Sequence, residues 1–567
     1  MSVNIAFPAE KRASEAPYHH PVPWDLPIER DVLPDLFAER AARHPDRVFV
    51  DFLGRQYSYG ELHRDAGRFA ATLKKRGIAR GDRVGLFLPN VPVYVAAYYG
   101  AMMAGAVVVN FSPLYSVDEL SHQVADSGTK LLVTLDVPAL LPTATAVLDQ
   151  SDLEQLMVAR LADQLPKLKS IGLRLLKRGD IAAIPDRDDV CEWRECLPAR
   201  PGEPEPLTPD DLALLQYTGG TTGRPKGAML THGNLTANAR QTAAIDPVQE
   251  EEGNVIFGGL PMFHVFANTA VLNHGMVRGA RIVMVPRFEP KQVLAEIRRT
   301  RPSGFPGVPT MYQALLDHPD LARTDMSCLR ICISGGAPLA GPLRERFEAE
   351  TGARLVEGYG LTESSGVVSV NPYEGFRKPG TIGQLVPQTQ VLLLDKEDPA
   401  KRAPDGEPGE LALRGPQIMQ GYWNRPDAQA STFATHDGVS WLRTGDVATI
   451  DADGFVKIVD RTKDMISVGG FKVFPSQVEE VLLENDAVKE ALVIGVRDDY
   501  RGEAPKAFVS LADGADTDGD ALTQWLNARV GKHERVVGVE IRNELPKTMI
   551  GKLDRKALRA DVADATG

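Results

Sequence analysis

Along the first 135 residues, segments in which hydrophobic positions repeat with a helical period alternate with short segments typical of strands. Segments with apolar residues three and four positions apart are typical of amphipathic helices, and short β-branched apolar runs are typical of buried strands. Their alternation predicts a largely parallel sheet with helices on both faces. The predicted elements are the helix LPDLFAERAARHP, the hairpin VFVDF and QYSY, the helix YGELHRDAGRFAATLKKRG, the strand DRVGLFLP, the helix NVPVYVAAYYGAMMAG, the strand AVVVN, the helix DELSHQVADSG and the strand KLLVTL.

The same alternation returns after residue 210, and no short-period repeat is present. Strands are predicted in DLALLQY, IVMVP and LRICISGGAP, and helices in KQVLAEIRRT and LRERFEAETG. After about residue 460 the pattern becomes a compact α+β unit of roughly a hundred residues, an ordinary domain size. We therefore predict an α/β fold with two parallel-sheet halves in an N-terminal domain (1–460), a C-terminal domain (461–567) and a hinge within VDRTKDMI.

Composition narrows the class of protein. The chain has 567 residues, of which 43% are hydrophobic and 25% charged, as in ordinary soluble proteins of several domains. The net charge of −12 argues against a general nucleic-acid binder. Cys191, Cys196, Cys328 and Cys332 lack the spacing of a zinc site, so we expect free thiols in a reducing cytosol. The N-terminus has early charges and no apolar core, so we expect no signal peptide.

Two segments raise the question of membrane contact. The stretch 93–111 is uncharged over about the length of a short transmembrane helix, but Gly105 followed by AVVVN favours a helix, a glycine stop and a buried strand. The leucine-rich stretch 153–178 is basic in its second half. It predicts either a solvated surface helix or a peripheral contact with an anionic membrane. Its basic residues are Lys167, Lys169, Arg174, Lys177 and Arg178.

The segment YTGGTTGRPKGAMLTH (217–232) has the chemistry of an anion-binding loop. Glycines allow backbone N–H groups to turn inward, threonines add hydroxyl donors, and Lys226 adds a charge. The preceding strand DLALLQY places the loop at a strand's carboxyl end, where nucleotides bind in α/β sheets. It is neither a Walker A loop nor a dinucleotide fingerprint. A mobile Gly/Thr surface loop is the alternative.

Four further segments carry candidate chemistry, although each alone could be an ordinary turn or linker. VEGYGLTES (356–364) includes Glu363, a hard oxygen ligand suited to Mg²⁺. WLRTGDVA (441–448) places Asp446 in a predicted Gly turn after a strand, where a carboxylate can accept ribose hydroxyls. The other two segments are DRTKDMISVGGFKVFP (460–475) and LPKTMIGKLDRKAL (545–558).

The occurrence of all these segments in this order is far more specific evidence for a protein family than any single segment. With PMFHVF (261–266) and SGGAPL (334–339), they make the chain resemble the adenylate-forming superfamily over residues 30 to 560. Within it, VSVNPY, PQIMQGYWNRPDA and the leucine-rich basic segment are most similar to bacterial long-chain fatty acid–CoA ligases. The resemblance implies a β-subdomain in the N-terminal domain and a mobile C-terminal domain. It also implies ATP, Mg²⁺ and coenzyme A as cofactor and co-substrates.

The resemblance implies a role for each matching position. Nucleotide binding would fall to Thr218, Gly219, Gly220, Thr221, Thr222, Gly223 and Lys226 at the β- and γ-phosphates, Thr362 at the α-phosphate, Asp446 and Arg461 at the ribose, and Gly335, Gly336, Ala337, Gly358, Tyr359 and Gly360 around the adenine. Glu363 would bind Mg²⁺ and His264 would lie near the acyl carboxylate, where a core histidine is the alternative.

The implied reaction has two steps. Lys552 would stabilise the charge that develops as the carboxylate attacks the α-phosphate and forms an acyl-adenylate. The C-terminal domain would then rotate about Lys463, withdraw Lys552 and bring the hairpin at Gly469 and Gly470 to the pantetheine tunnel, where the thiolate of coenzyme A attacks.

The acyl specificity is less constrained by these residues. Gly335, Gly336, Gly358 and Gly360 could leave room for an apolar chain, and residues 264–280 could form a wall. We expect a cytoplasmic long-chain fatty acid–CoA ligase that acts on free fatty acid and coenzyme A. The alternatives are a medium-chain or aryl acid–CoA ligase, an acyl-AMP ligase that serves a carrier protein, and a degenerate fatty-acid-binding protein. A homodimer and a monomer both remain open.

Overall fold

The predicted alternation of helices and strands is confirmed by a computed structural model. It describes residues 6–7, 11–12, 17–176, 178–218, 225–248, 253–396, 398–461, 464–468, 471–498, 501–548 and 553–566. The helices are α1 (Leu33–Arg43), α2 (Tyr59–Lys75), α3 (Pro92–Met103), α4 (Val117–Ser127), α5 (Leu141–Gln150), α6 (Lys167–Leu176), α7 (Trp193–Cys196), α8 (His232–Ala244), α9 (Val265–Ala267), α10 (His274–Val277), α11 (Pro290–Thr300), α12 (Pro309–Leu316), α13 (Gly341–Thr351), α14 (Gln429–Thr432), α15 (Pro475–Leu483), α16 (Gly519–Asn527) and α17 (Arg555–Thr566).

Within the described residues, the strands belong to five sheets. They are β1 (Ala6–Phe7), β2 (Lys11–Arg12), β3 (Val48–Phe52), β4 (Arg55–Ser58), β5 (Arg83–Phe87), β6 (Val107–Phe111), β7 (Thr129–Leu135), β8 (Gln155–Ala159), β9 (Val190–Glu192), β10 (Leu212–Thr218), β11 (Lys226–Thr231), β12 (Val255–Gly258), β13 (Arg281–Met284), β14 (Gly304–Gly307), β15 (Ile331–Ser334), β16 (Leu355–Tyr359), β17 (Ser369–Val370), β18 (Gln384–Leu385), β19 (Gln390–Leu394), β20 (Gly409–Arg414), β21 (Phe433–His436), β22 (Val439–Ile450), β23 (Val456–Arg461), β24 (Ile466–Val468), β25 (Phe471–Val473), β26 (Val488–Asp498), β27 (Gly502–Leu511) and β28 (Val539–Ile541).

Local capping chemistry sets several helix ends. At the start of α4 the Ser116 hydroxyl accepts the Glu119 N–H while the Glu119 carboxylate accepts the Ser116 N–H, which satisfies two donors that the helix leaves open. At its other end Gly128 adopts φ 64°, a conformation that glycine reaches without a Cβ penalty. Every residue of α3 is buried, and Gly105 separates it from the buried strand β6. The prediction for 93–111 is therefore confirmed.

The first half forms a seven-stranded sheet in the order β11–β10–β6–β5–β7–β8–β9. All neighbours are parallel except β11, which returns antiparallel beside β10. The segment 153–178 is thus not one helix. Its first part is the buried inner strand β8, and only its second part is helical, as α6.

The second half forms a nine-stranded sheet in the order β18–β17–β16–β15–β14–β12–β13–β3–β4. Its six central strands are parallel, and antiparallel strands lie at both edges. The predicted hairpin β3–β4 exists, but it joins this second sheet beside β13. One continuous hydrophobic core consequently connects the two halves.

Two smaller sheets follow. β19 to β23 form an antiparallel five-stranded sheet, and β24 to β28 form the C-terminal sheet with α15, α16 and α17. Apolar residues from Ile466 onward pack among themselves in two separate clusters. The protein is therefore an α/β protein with a large N-terminal parallel-sheet part and a small C-terminal α+β part, as predicted. Within the described ranges, no helix has both the length and the apolar character that crossing a bilayer demands.

Candidate active site

The candidate phosphate loop connects two paired strands. Thr218 ends β10, Lys226 begins β11, and the two residues pair directly, with the Thr218 hydroxyl 3.4 Å from the Lys226 carbonyl oxygen. Gly219, Gly220, Thr221, Thr222 and Gly223 lie between them, outside the described residues. The loop therefore follows the carboxyl end of a parallel strand, as predicted.

The predicted metal ligand and the loop lysine meet at one tyrosine. Glu363 lies in a 3₁₀ turn with Thr362, just after β16. Its Oε1 accepts a hydrogen bond of 2.5 Å from the Tyr422 hydroxyl, and the Lys226 Nζ lies 5.1 Å from the centre of the same ring. Burial, together with the nearby carboxylate of Glu363, raises the pKa of Tyr422, which therefore stays a hydrogen-bond donor at neutral pH.

The predicted ribose ligands form a second cluster. Asp446 is buried, its Oδ1 accepts a hydrogen bond of 3.0 Å from Arg461 Nε, and its Oδ2 accepts one from the Tyr359 hydroxyl. Asp446 does not lie in a turn, as the sequence suggested, but inside the twelve-residue strand β22. Gly445 has φ 73° there, and the pairing with β20 shifts register, so a β-bulge aims the carboxylate at the site.

His264, the residue expected near the acyl carboxylate, lines a small cavity. His264 caps α9 through its Nδ1, which accepts the Phe266 N–H at 3.2 Å. The cavity, of about 20 Å³, is bounded by His264, Phe266 and Gly336, together with apolar side chains. Gly336 follows β15 with φ 81°, and Ala337 comes next in the same loop. Leu260, Val308 and Gly336 each come shortly after a parallel strand, so the cavity lies at the carboxyl edge of the nine-stranded sheet.

Contacts between the two sheets bring these parts together. The Gln216 side chain, on β10, donates from Nε2 to the Phe263 carbonyl at 2.9 Å, which ties the phosphate-loop strand to the His264 segment. The Met419 N–H donates to the Glu363 carbonyl at 2.9 Å, which ties the Tyr422 segment to the 3₁₀ turn. Tyr359 and Glu363 are four residues apart at the end of one strand. The site thus lies where the carboxyl ends of both sheets converge.

Three of the glycines do not leave space for an acyl chain, contrary to the expectation from sequence. A Cβ on Gly335 would lie 2.9 Å from the Phe266 ring, and one on Gly358 would lie 2.6 Å from Ile333. A Cβ on Gly360 would lie 1.8 Å from the Gly366 carbonyl oxygen. Protein atoms already fill these positions, so the glycines permit close packing of the site's own segments.

Comparison with known families matches this arrangement. The sequence profile of the AMP-binding enzyme family fits residues 37–423, and that of the AMP-binding enzyme C-terminal domain fits residues 477–552. The chain belongs to the AMP-binding enzyme family. It is 39% identical to a long-chain-fatty-acid–CoA ligase of Bacillus subtilis, over 96% of this chain and 97% of that one. A long-chain-fatty-acid–CoA ligase of Yersinia pestis is 38% identical, over 95% and 96%.

Solved structures of other AMP-binding enzymes share the fold. An anthranilate CoA ligase in complex with anthranoyl-AMP superposes with a TM-score of 0.83 at 26% identity, covering 98% of this chain and all of that one. The family's C-terminal profile covers the region of Lys552. Lys552 itself lies outside the described residues, as do Lys463, Gly469 and Gly470, although the strands β24 and β25 on either side of the two glycines do form the predicted hairpin.

The donors around Glu363 fit the magnesium ion that accompanies ATP in an AMP-binding enzyme. Among the described residues, no group of three His, Cys, Asp or Glu side chains could enclose a metal ion. Mg²⁺ is usually bound by one or two carboxylates together with substrate phosphates, so a single carboxylate beside a phosphate loop suffices. Glu363 has such a carboxylate, and Tyr422 contacts both Glu363 and Lys226.

Sequence reasoning missed Tyr422. The residue was visible only within PQIMQGYWNRPDA, a phrase to which no chemistry could be attached, because it lies about sixty positions from Glu363 and two hundred from Lys226. Only the pairing of its segment with β11 brings it to the site of this AMP-binding enzyme.

Proposed function

We propose that the protein is an ATP-dependent long-chain fatty acid–CoA ligase. The fatty acid carboxylate attacks the α-phosphate of ATP and releases pyrophosphate, which gives an acyl-adenylate. The thiolate of coenzyme A then attacks the acyl carbon and releases AMP. The observation that supports this most directly is that both polar clusters meet at the end of β16. Tyr359 there bonds Asp446, and Glu363, four residues later, bonds Tyr422 beside Lys226.

Each charged group in the site suits one part of this chemistry. Asp446, held by Arg461 and Tyr359, would accept the ribose hydroxyls. Lys226 and Thr218 would bind phosphates, and Thr362, next to the metal ligand Glu363, would bind the α-phosphate. Mg²⁺ supplies charge neutralisation when bound with ATP. Cations and hydrogen-bond donors held in place lower the activation barrier for attack of the anionic carboxylate on the anionic α-phosphate.

A second cavity is the proposed site of the fatty acyl tail. It lies between one face of the nine-stranded sheet and the roof formed by α8 and a π-helical turn, Asn268–Asn273. The π-helical turn belongs to residues 264–280, which were expected to form a wall, whereas α8 does not. Seven lining side chains are apolar: Ile256, Ala270, Pro306, Ile331, Ile333, Val367 and Val370. The polar lining residues include the paired side chains of Asp246 and His274.

The tail would have to widen this space. The second cavity measures about 30 Å³, and Phe266 packs between the first cavity and the apolar cluster around Ile333 and Val367. We propose that the ring of Phe266 moves aside when the chain enters. Gly304, which lines the cavity, then becomes the position where chain length can be tested, because its missing side chain leaves space.

We also propose the division into an N-terminal domain (1–460) and a C-terminal domain (461–567) that rotates about Lys463. Support comes from the separate apolar clusters beyond Ile466 and from the two family profiles. Lys552→Ala should abolish adenylate formation but largely spare thioester formation from supplied acyl-AMP, and Lys463→Pro should do the reverse. Equal loss of both steps in both variants would contradict the two-conformation mechanism.

The decisive test of the function is a mass-spectrometric assay with ATP, Mg²⁺ and a panel of free acids, with and without coenzyme A. Palmitoyl-CoA and AMP that appear only with coenzyme A would support the proposal and rank the chain lengths. Aryl-CoA in preference to fatty acyl-CoA would favour the aryl ligase alternative. Acyl-AMP without thioester would indicate an acyl-AMP ligase, and no AMP with any acid would refute a ligase altogether.

Peripheral membrane contact through α6 is a further part of the proposal. Four large apolar side chains of this ten-residue helix are exposed: Leu168 by 85%, Ile171 by 53%, Leu175 by 63% and Leu176 by 86%. Leu173 is buried and anchors the helix. Such a concentrated apolar surface is unusual on a soluble protein and suits insertion into the headgroup region of a bilayer.

Two of the five basic residues predicted to contact a membrane also bind the protein itself. Lys169 Nζ donates to the Leu53 carbonyl at 2.9 Å, and Arg174 forms an ion pair of 2.6 Å with Asp163. These two side chains therefore fasten the helix to the protein. The apolar side chains should supply most of the membrane affinity, because burying each one contributes about 1.5–3 kcal/mol.

Vesicle co-sedimentation tests this contact, with vesicles of one part phosphatidylglycerol and three parts phosphatidylcholine. Leu168→Ser/Leu175→Ser should abolish binding that persists in high salt. Leu114→Ser, at an equally exposed leucine (65%) elsewhere, should leave it unchanged. Binding of the double variant equal to that of the wild type would refute the contact, and binding lost in high salt would show that charge alone mediates it.

A further inference from the structure

Tyr422 touches both the phosphate-loop lysine and the carboxylate assigned to the metal. Its hydroxyl donates to Glu363 Oε1 at 2.5 Å, and its ring face lies 5.1 Å from Lys226 Nζ. Glu363 follows a strand of one sheet and Lys226 begins a strand of the other, and the backbone bond from Met419 to the Glu363 carbonyl joins their segments. Tyr422 is a side chain that contacts the carboxylate and the ammonium themselves, so it can set the separation of these two groups.

The position of Tyr422 is itself firmly set. Its segment adds to the edge of β11: Tyr422 bridges Ala228, the Trp423 N–H donates to the Gly227 carbonyl at 2.8 Å, and the Met229 N–H donates to the Gly421 carbonyl at 2.9 Å. These bonds lie within three residues of Lys226, so the tyrosine and the end of the phosphate loop form one rigid unit.

A second set of bonds holds the far side of this segment. Trp423 Nε1 donates to the Asp126 carbonyl at 3.2 Å, and Arg425 forms an ion pair of 2.8 Å with the Asp126 carboxylate. Tyr217, on β10, also donates to that carboxylate at 2.7 Å. The segment is therefore tied to β11 on one side and to Asp126 of α4 on the other, and Tyr422 extends from it toward Glu363 in the turn after β16.

We propose that Tyr422 is a positioning residue that fixes the Glu363 carboxylate and the Lys226 ammonium at the separation that Mg²⁺ and the ATP phosphates require. The proposal rests on the proposed function, since it concerns the same nucleotide site. Partners that orient a metal-binding carboxylate typically contribute 10- to 100-fold to metal affinity. The ring supplies a cation–π contact to Lys226.

The two contacts can be separated by substitution. Tyr422→Phe removes the hydroxyl and keeps the ring, so it should weaken the binding of Mn²⁺ to the enzyme–ATP complex by about 10- to 100-fold. It should leave the affinity for ATP in EDTA unchanged. Tyr422→Leu removes both contacts, so it should also weaken metal-free ATP binding by about 2- to 5-fold, the effect of an exposed cation–π contact.

Electron paramagnetic resonance of Mn²⁺ and calorimetry of ATP in EDTA measure these affinities without turnover. Tyr57→Phe is the matched control, because it removes a hydroxyl bonded to the Gln164 carbonyl at 2.8 Å. Unchanged Mn²⁺ affinity in Tyr422→Phe, or an equal loss in Tyr57→Phe, would overturn the positioning role. A wild-type protein that binds ATP in neither assay would instead refute the proposed function.

Discussion

Gly304 offers a direct test of where the acyl tail lies. It is on the buried strand β14, lines the second cavity, and faces the same side of the sheet as Pro306 two residues later. A Cβ built on Gly304 meets only Ile256 Cγ1, at 3.8 Å, which is ordinary van der Waals contact. Gly304→Val therefore adds its first carbon without a clash and directs the others into the cavity.

The expected effect follows from the volume that the new side chain takes. Valine adds three carbons where an acyl tail would place about three methylenes, and each buried methylene contributes about 0.8 kcal/mol. The loss is then about 2.4 kcal/mol, or roughly 60-fold in kcat/KM, for chains long enough to reach the cavity. Shorter chains should be unaffected, and Gly304→Ala should show about a third of the free-energy loss.

The assay is kcat/KM for saturated acids from C6 to C18, with the thermal midpoint measured in parallel. A preference that shifts toward shorter acids in the order wild type, Ala, Val would support the cavity as the tail site. An equal loss for all chain lengths with an unchanged midpoint, or unaltered kcat/KM for C16 and C18, would refute it.

Three other substitutions probe the nucleotide site and the fold. Asp446→Ala should raise the KM for ATP by about 10- to 100-fold with a smaller effect on kcat, because hydrogen bonds from the ribose to a charged carboxylate contribute about 1.5–3 kcal/mol. An unchanged KM for ATP in an assay of AMP release would contradict this prediction. Burial raises the pKa of Glu357 from 4.5 to about 8, so the folded state binds this proton more tightly than the unfolded state and loses stability as pH rises between those values. The thermal midpoint of Glu357→Gln should lack this part of the decline with pH. Parallel pH profiles of the midpoint in the variant and the wild type would contradict this prediction. Arg299→Ala removes the two hydrogen bonds of 2.6 and 2.9 Å that Arg299 donates to the fully buried Asp51 carboxylate, and only the bond from the Gly54 N–H remains among those of the described residues. It should cost about 3 kcal/mol in denaturant unfolding, whereas Arg43→Ala, in an exposed ion pair, should cost less than about 0.5 kcal/mol. Similar losses in both variants would be the contrary result.

Features that depend on nearby residues could be predicted from the sequence. The helix α3, its stop at Gly105 and the buried strand β6 followed from uniform apolarity and one glycine, because these preferences act within a few positions. The position of the glycine-rich loop directly after the buried strand β10 followed in the same way. The order of the motifs also identified the family, because their residue types suit the binding of one ligand.

Features that depend on distant segments could be known only from the tertiary structure. The hairpin β3–β4 was predicted as a hairpin, but its place in the second sheet depends on pairing with β13, more than two hundred residues away. The bulge that aims Asp446 depends on a register shift against β20, and the contact of Tyr422 with Glu363 depends on the addition of its segment to β11. Local preferences are similar for many such pairings, and the choice among them is made by burial and backbone hydrogen bonding across the whole sheet, which no single stretch of sequence contains.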